Sequence, residues 1–195
     1  MTNIEYIEFI NNAITSAYGA TRTGLKLLEI GNQDLVEYYS ELGMDARLLE
    51  PTMDNGNTWL HIVTANSILL NMATPEVFAD YANTFNVITN VGAIEHIPLN
   101  QQYETWTVMN AITKVGGVMI HIMPDRERRD MRLDWIGHCN NYYDGEFFEN
   151  LADKMGYEIV GNEVIHSNRS VALKKVVDKA FDLDRETFLS TIHLR

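Results

Sequence analysis

The 195 residues carry 27 Asp+Glu against 15 Lys+Arg, a net charge of −12. Such a surface repels phosphate backbones and sets duplex nucleic acid aside as a partner. One cysteine, Cys139, excludes an intrachain disulfide and fits a reducing, cytoplasmic setting. The N-terminal Met1-Thr2-Asn3-Ile4-Glu5 shows no basic leader, and no apolar run approaches the length of a membrane span.

Ile4, Ile7, Ile10, Ile14 and Ala17 recur at helical spacing, with Glu5, Glu8, Asn11 and Asn12 opposite, so an amphipathic helix is predicted up to Gly19. Leu25 to Ile30 reads as a buried-type strand, and Asp34 to Leu42 as the helix behind it, stopped by Gly43. Ala46 to Glu50 is a second strand that Pro51 terminates. Asp54-Asn55-Gly56-Asn57 is a turn. Thr58 to Ala65 reads as a helical turn or two, with strand as the alternative, and Ser67 to Asn71 as a third strand. Thr74-Pro75-Glu76 is a helix start leading to Tyr81.

Phe85 to Asn90 is the clearest strand, β-branched and bounded by Gly92. Gln101 to Ile112 fits a helix, and Gly116-Gly117 turns the chain into the strand Val118 to Ile122, closed by Pro124. Asp144 is placed to cap a helix over Glu146 to Lys154 that ends at Gly156. Tyr157 to Ile165 and Ser170 to Val177 are two strands joined through His166-Ser167-Asn168-Arg169. Alternation of strand and helix predicts an α/β chain with a mainly parallel sheet, and the last pair predicts an antiparallel addition at one edge. One domain is expected, with a helix and loop over 1–24, a core over 25–177 and a tail over 178–195.

The segment Leu25 to Asp34 is chemically the most pointed. A strand ending in an acid and then a glycine, just before a helix, suits delivery of a nucleotide-like ligand to a helix N-terminus. Glu29 supplies a carboxylate there, and Gly31 lets backbone approach a ligand without a Cβ in the way.

Four segments in this order resemble the class I S-adenosylmethionine-dependent methyltransferases. Leu28-Glu29-Ile30-Gly31 is similar to their cofactor-binding first motif. Phe85 to Asn90, with Gly92-Ala93-Ile94-Glu95-His96-Ile97 behind it, is similar to their fourth strand and its Glu-His continuation. Thr113 to Ile120 is similar to the paired glycines and fifth strand, and His138 to Phe148 to a histidine-to-helix segment of small members. The resemblance implies a Rossmann-like doubly wound seven-stranded sheet, mostly parallel with an antiparallel C-terminal strand. It departs in the first loop, where Gly31 stands alone before Asn32, Gln33 and Asp34; Asn32, which tolerates left-handed backbone, is the expected stand-in for a second glycine.

The implied cofactor is S-adenosyl-L-methionine, a sulfonium cation that needs no phosphate cradle. Glu29, Gly31 and Asn32 would face its methionine part, and Glu50 its ribose hydroxyls, with Asp54 the competitor. Asn71 would lie beside the adenine, and Asn90 and Val91 would line the methyl-transfer site. Methyl transfer is an in-line displacement, so alignment and exclusion of water dominate, with a base where the acceptor needs one. His96 and His138 are the candidate bases, and His121 reads as a hydrogen-bonded structural histidine. The six histidines are scattered without ligand spacing, so no metal is expected. Trp106, Trp135, Tyr142 and Tyr143 line an acceptor pocket or a subunit contact, or are simply core. Residues 126–134 are a candidate lid.

The expected partner is a small-molecule or sugar-like methyl acceptor, with no nucleic acid or membrane, and a homo-oligomer is compatible. A nicotinamide-dependent oxidoreductase would need a Gly-x-Gly-x-x-Gly turn, which the chain lacks. A non-catalytic scaffold that keeps the same fold is the remaining alternative, favoured by the glycine-poor loop.

Overall fold

The computed structural model describes residues 3–54, 57–61, 75–126 and 139–194, of which 50–54, 57–61 and 75–77 are described by backbone alone. The strands are β1 (Lys26–Ile30), β2 (Asp45–Asp54), β3 (Asn57–His61), β4 (Phe85–Val91), β5 (Thr113–Pro124), β6 (Asn141–Tyr142), β7 (Tyr157–Ile165), β8 (Asn168–Lys175) and β9 (His193–Leu194). The α-helices are α1 (Ile4–Tyr18), α2 (Gln33–Glu41), α3 (Leu99–Ile112), α4 (Gly145–Met155) and α5 (Arg185–Ser190). Short 3-10 turns span Pro75–Tyr81 and Ile94–His96.

The main sheet runs β3-β2-β1-β4-β5-β8-β7, and β6 pairs separately with β9. Strands β2, β1, β4 and β5 are mutually parallel, while β3 and β8 are antiparallel to their neighbours. The fold is therefore α/β with a mostly parallel sheet and an antiparallel strand near its C-terminal edge. Alternation sorts the side chains of the parallel strands into two layers. Leu27, Val87, Val118 and Ile120 pack with Ile10 and Ile14 of α1 and Leu35 and Tyr39 of α2. Leu28, Ile30, Ile88 and Met119 pack with Trp106 and Met109 of α3 and Phe148 and Leu151 of α4.

Local chemistry sets the element ends. Asn3 caps α1, its side chain accepting from the Glu5 amide at 2.8 Å, and Asp144 caps α4 by accepting from the Phe147 amide at 2.8 Å. Gly156 ends α4 in the left-handed conformation that glycine adopts most readily. At the other end of α3, the buried Lys175 ammonium donates to the carbonyls of Asn110 (2.9 Å) and Thr113 (3.1 Å), closing the turn into β5.

Several sequence expectations are corrected. Pro51 does not end β2, which continues to Asp54. Only Asp45 to Leu49 pair with β1, and from Glu50 onward the strand has β3 alone as its partner. Pro51 thus sits where one side of the strand makes no ladder, which tolerates its missing N–H. Asn57–His61 is a strand, not a helical turn, because Asp54 pairs with Asn57 across a two-residue connection. The expected strand over 67–71 lies outside the described residues. Gly116-Gly117 is internal to β5, where the register against β4 shifts between Phe85 and Val87. Gly117 is obligatory there, since a Cβ would meet the Lys114 carbonyl at 2.8 Å. The β7–β8 turn is shorter than expected: His166 and Ser167 alone make it, with φ of 49° and 68°. The tail over 178–195 holds α5 and β9 and contributes Phe181, Phe188 and Ile192 to the core.

Candidate functional site

The candidate site lies where β1 and β4 end side by side. Ile30 pairs with Leu49 of β2 on one side and with Asn90 of β4 on the other, so Gly31, Glu50 and Val91 follow as the next row across three strands. Gly31 leaves the strand at φ 92°, its N–H donating to the Leu49 carbonyl at 2.9 Å. Gly92 does the same at the end of β4, with φ 74° and an N–H donating to the Ile122 carbonyl at 3.0 Å. Two adjacent parallel strands thus each end at a positive-φ glycine, and open α/β sheets bind ligands in the crevice outside such carboxyl ends.

Asn32 does not replace a second glycine in conformation. Its φ is −130°, so it is extended, it occupies the N-cap position of α2, and Gly31 alone carries the positive φ. The helix then starts at Gln33, and Leu35 is fully buried against the sheet.

Glu29 is fully buried on the α1–α2 side of the sheet. Thr89 Oγ1 on β4 donates to Glu29 Oε2, and Glu29 Oε1 has no hydrogen-bond partner. Burial pushes its pKa well above the ordinary carboxyl value, against a smaller lowering by the Thr89 bond. Burial thus disfavours the ionised form of this group in the protein alone.

Asn90 organises the turn after β4. Its Oδ1 accepts from the Ile94 amide at 3.0 Å, while its buried Nδ2 has no partner. Glu95 in that turn is buried, with Oε2 unpartnered and a pKa pushed up to about 8 by desolvation. His96, beside it, is partly exposed at the rim, its Nε2 3.9 Å from Glu95 Oε1.

Sequence reasoning missed the residues that hold this turn. Asn141 Nδ2 donates to the carbonyls of Glu95 (3.1 Å) and Ile97 (2.6 Å), and Asn140 Nδ2 donates to that of His96 at 2.7 Å. Gln102 Nε2 donates to the carbonyls of Ile94 (2.7 Å) and Ile97 (2.9 Å), and its Oε1 accepts from the Tyr143 hydroxyl at 2.8 Å. The available signal was an Asn-Asn pair beside the aromatic Tyr142-Tyr143, a polar pair too close to core residues to be left without partners.

His121 lies in β5 opposite Asn90 and is structural, but not hydrogen-bonded as expected. Both ring nitrogens are unpartnered, the ring packs against Trp106 with centroids 4.7 Å apart, and burial pushes its pKa down to about 3. Trp106 and Tyr143 belong to the same core cluster. Asn71, His138, Trp135 and 127–134 of the candidate lid lie outside the described residues, as does the side chain of Glu50. Among the described residues no group of three metal-ligating side chains exists and no helix is long and apolar enough to cross a membrane.

The residues at this end fit an adenosyl sulfonium. Two buried polar atoms without partners, Glu29 Oε1 and Asn90 Nδ2, belong to the last two rows of β1 and β4 on opposite faces of the sheet, and the acidic chemistry suits a cation. No Gly-rich nest for a pyrophosphate accompanies them.

No protein-family model matches the chain, and no curated protein matches it. Solved structures do match. An S-adenosylmethionine-dependent methyltransferase from Archaeoglobus fulgidus aligns over 84% of this chain and 92% of its own, with a TM-score of 0.59 and 11% identity. The 1,6-didemethyltoxoflavin-N1-methyltransferase of Burkholderia thailandensis, solved with its substrate and S-adenosylhomocysteine, aligns over 87% of this chain and 79% of its own, with a TM-score of 0.58 and 9% identity. A Rhodobacter sphaeroides chain assigned to the zinc-dependent alcohol dehydrogenases aligns over 90% of this chain and 99% of its own, with a TM-score of 0.56 and 11% identity. The chain has the class I S-adenosylmethionine-dependent methyltransferase fold.

Proposed function

We propose, from that fold, that the chain is an S-adenosylmethionine-dependent methyltransferase acting on a small-molecule or sugar-like acceptor. The observation that carries this reading is the pairing of Ile30 with Asn90, which sets the Glu29–Gly31 end of β1 beside the Asn90–Val91 end of β4. The bound cofactor supplies an electrophilic methyl group. Gly31 would present its backbone to the methionine part, Glu29 its carboxyl group, Glu50 would take the ribose hydroxyls and Asn71 the adenine. Asn90 and Val91 would border the path of transfer, and His96 or His138 would take a proton from an acceptor that must lose one. Fixing donor and acceptor in line and excluding water is the larger part of the task, and the stitched turn of Asn90, Gln102 and Asn141 provides a rigid wall for it. The net charge of −12 supports an acceptor other than nucleic acid, and the single cysteine supports a cytoplasmic setting.

Calorimetric titration with S-adenosylmethionine, S-adenosylhomocysteine and NAD tests the reading. Saturable binding of the first two without NAD is expected. NAD binding would move the chain to the oxidoreductases, and binding of none of the three would leave a scaffold that keeps the fold.

A further inference from the structure

Glu29 is a buried acid without a counter-charge. Among the described residues no cation pairs with it, one oxygen accepts only from Thr89, and the other accepts from nothing. From α2 it is faced by Tyr39, whose hydroxyl is also buried and unpartnered and whose ionisation Glu29 opposes. Tyr38 stands edge-on to Tyr39, and Arg22, between α1 and β1, acts on Tyr39. From α1 the packed side chains are Ile10 and Ile14, from β2 Leu48 is in register, and from β4 Thr89; none of these titrates. A carboxylate alone in such surroundings is costly, so the acid keeps its proton until a positive charge arrives.

We infer that Glu29 is the residue by which the site distinguishes the cationic methyl donor from its neutral product, by giving up its proton when the sulfonium binds and regaining it when the charge is gone. The inference rests on the methyltransferase reading. On binding, the O–H bond of Glu29 breaks, the proton passes to solvent, and the carboxylate left behind faces the cation. Once the methyl group has moved, the donor's sulfur is an uncharged thioether, the carboxylate has lost its counter-charge, and Glu29 takes a proton back from solvent. Donor and product share the same ammonium and carboxylate groups, so only the sulfonium separates them. Product release is thereby favoured by the same burial that holds the proton.

The test is calorimetry with S-adenosylmethionine and S-adenosylhomocysteine over about pH 6 to 8, in phosphate and in Tris, which reads the proton count directly. About one proton released per donor bound is expected, none beyond the shared amino group's share for the product, and a donor-to-product affinity ratio that rises about tenfold per pH unit. In Glu29→Gln, which keeps the size and the Thr89 contact, the release disappears and the ratio is flat with pH. Thr89→Val, a second variant with Glu29 in place, shifts the rise to higher pH, because the carboxylate loses its one donor. Glu95→Gln leaves the release unchanged. Donor binding without proton release, equal release with the product, or full release in Glu29→Gln overturns the inference while the methyltransferase reading stands. Failure of the donor to bind at any pH overturns both.

Discussion

Replacing Glu95 with glutamine is expected to stabilise the protein near pH 8, by about 3–4 kcal/mol, and to change little below pH 4.5. Glu95 is buried in the turn after β4, with Tyr143 and His96 as its titratable neighbours and one oxygen unpartnered. Its pKa rises from the ordinary 4.5 to about 8 because desolvation penalises the charged form, against a smaller lowering by a backbone hydrogen bond. The folded chain therefore holds a proton that the unfolded chain releases above pH 4.5. The stability this contributes is fully present below that value and is lost as pH rises through about 8. Glutamine has the shape of the protonated acid and no ionisation to lose. Denaturant unfolding of both forms across this range reads the effect, and a variant less stable than the parent near pH 8 would show that Glu95 is ionised and paired. Glu29, raised in the same direction, adds to the loss at high pH. His121 works oppositely: its folded pKa of about 3 lies below the ordinary 6.5, so protonation favours unfolding as pH falls through that interval.

Trp106→Ala should cost about 3–5 kcal/mol, the usual range for removing a large buried aromatic. Trp106 is 1% exposed on α3 and lies against His121 of β5, Tyr143, and Phe147 and Phe148 of α4, with centroids between 4.7 and 6.4 Å. Its ring contacts tie α3, α4 and β5 together above the sheet. Alanine would leave a cavity that four rings cannot close without moving off their rotamers. Chemical denaturation measures the loss. Trp106→Phe, which keeps an aromatic face, should lose less than half as much. A loss below about 1 kcal/mol for alanine would mean that the layer between sheet and α3 is not packed as described.

Much of the architecture was readable because local signals and tertiary needs agree over most of the chain. The β-branched run at Phe85–Val91 lies between two parallel neighbours, and strands buried on both faces read as continuous apolar runs. Asp144 and Gly156 mark α4 by chemistry that no distant contact has to supply. The failures fall where tertiary pairing decided. Pro51 is tolerated because the upper half of β2 pairs on one side only, and nothing near Pro51 in sequence reveals that. Gly116-Gly117 reads as a turn in isolation and becomes a strand irregularity because Asn86 and Thr113 crowd it. At the site, Glu29, Gly31 and Asn90 were visible as residue types at strand ends. The burial of Glu29 with one oxygen unpartnered was not, because it depends on which elements pack over β1, which is a property of the fold. Asn140, Asn141 and Gln102 escaped notice for a similar reason: their partners are backbone carbonyls 5 to 46 residues away.

A crystal structure of the chain grown with S-adenosylhomocysteine tests the central claim most directly. Ligand density is expected across the carboxyl ends of β1 and β4, against the Gly31 backbone and the Asn90 side chain. Ligand seated elsewhere, for instance in the groove that Leu151, Leu183 and Phe188 line between α4 and α5, with the β1–β4 crevice empty, would contradict it.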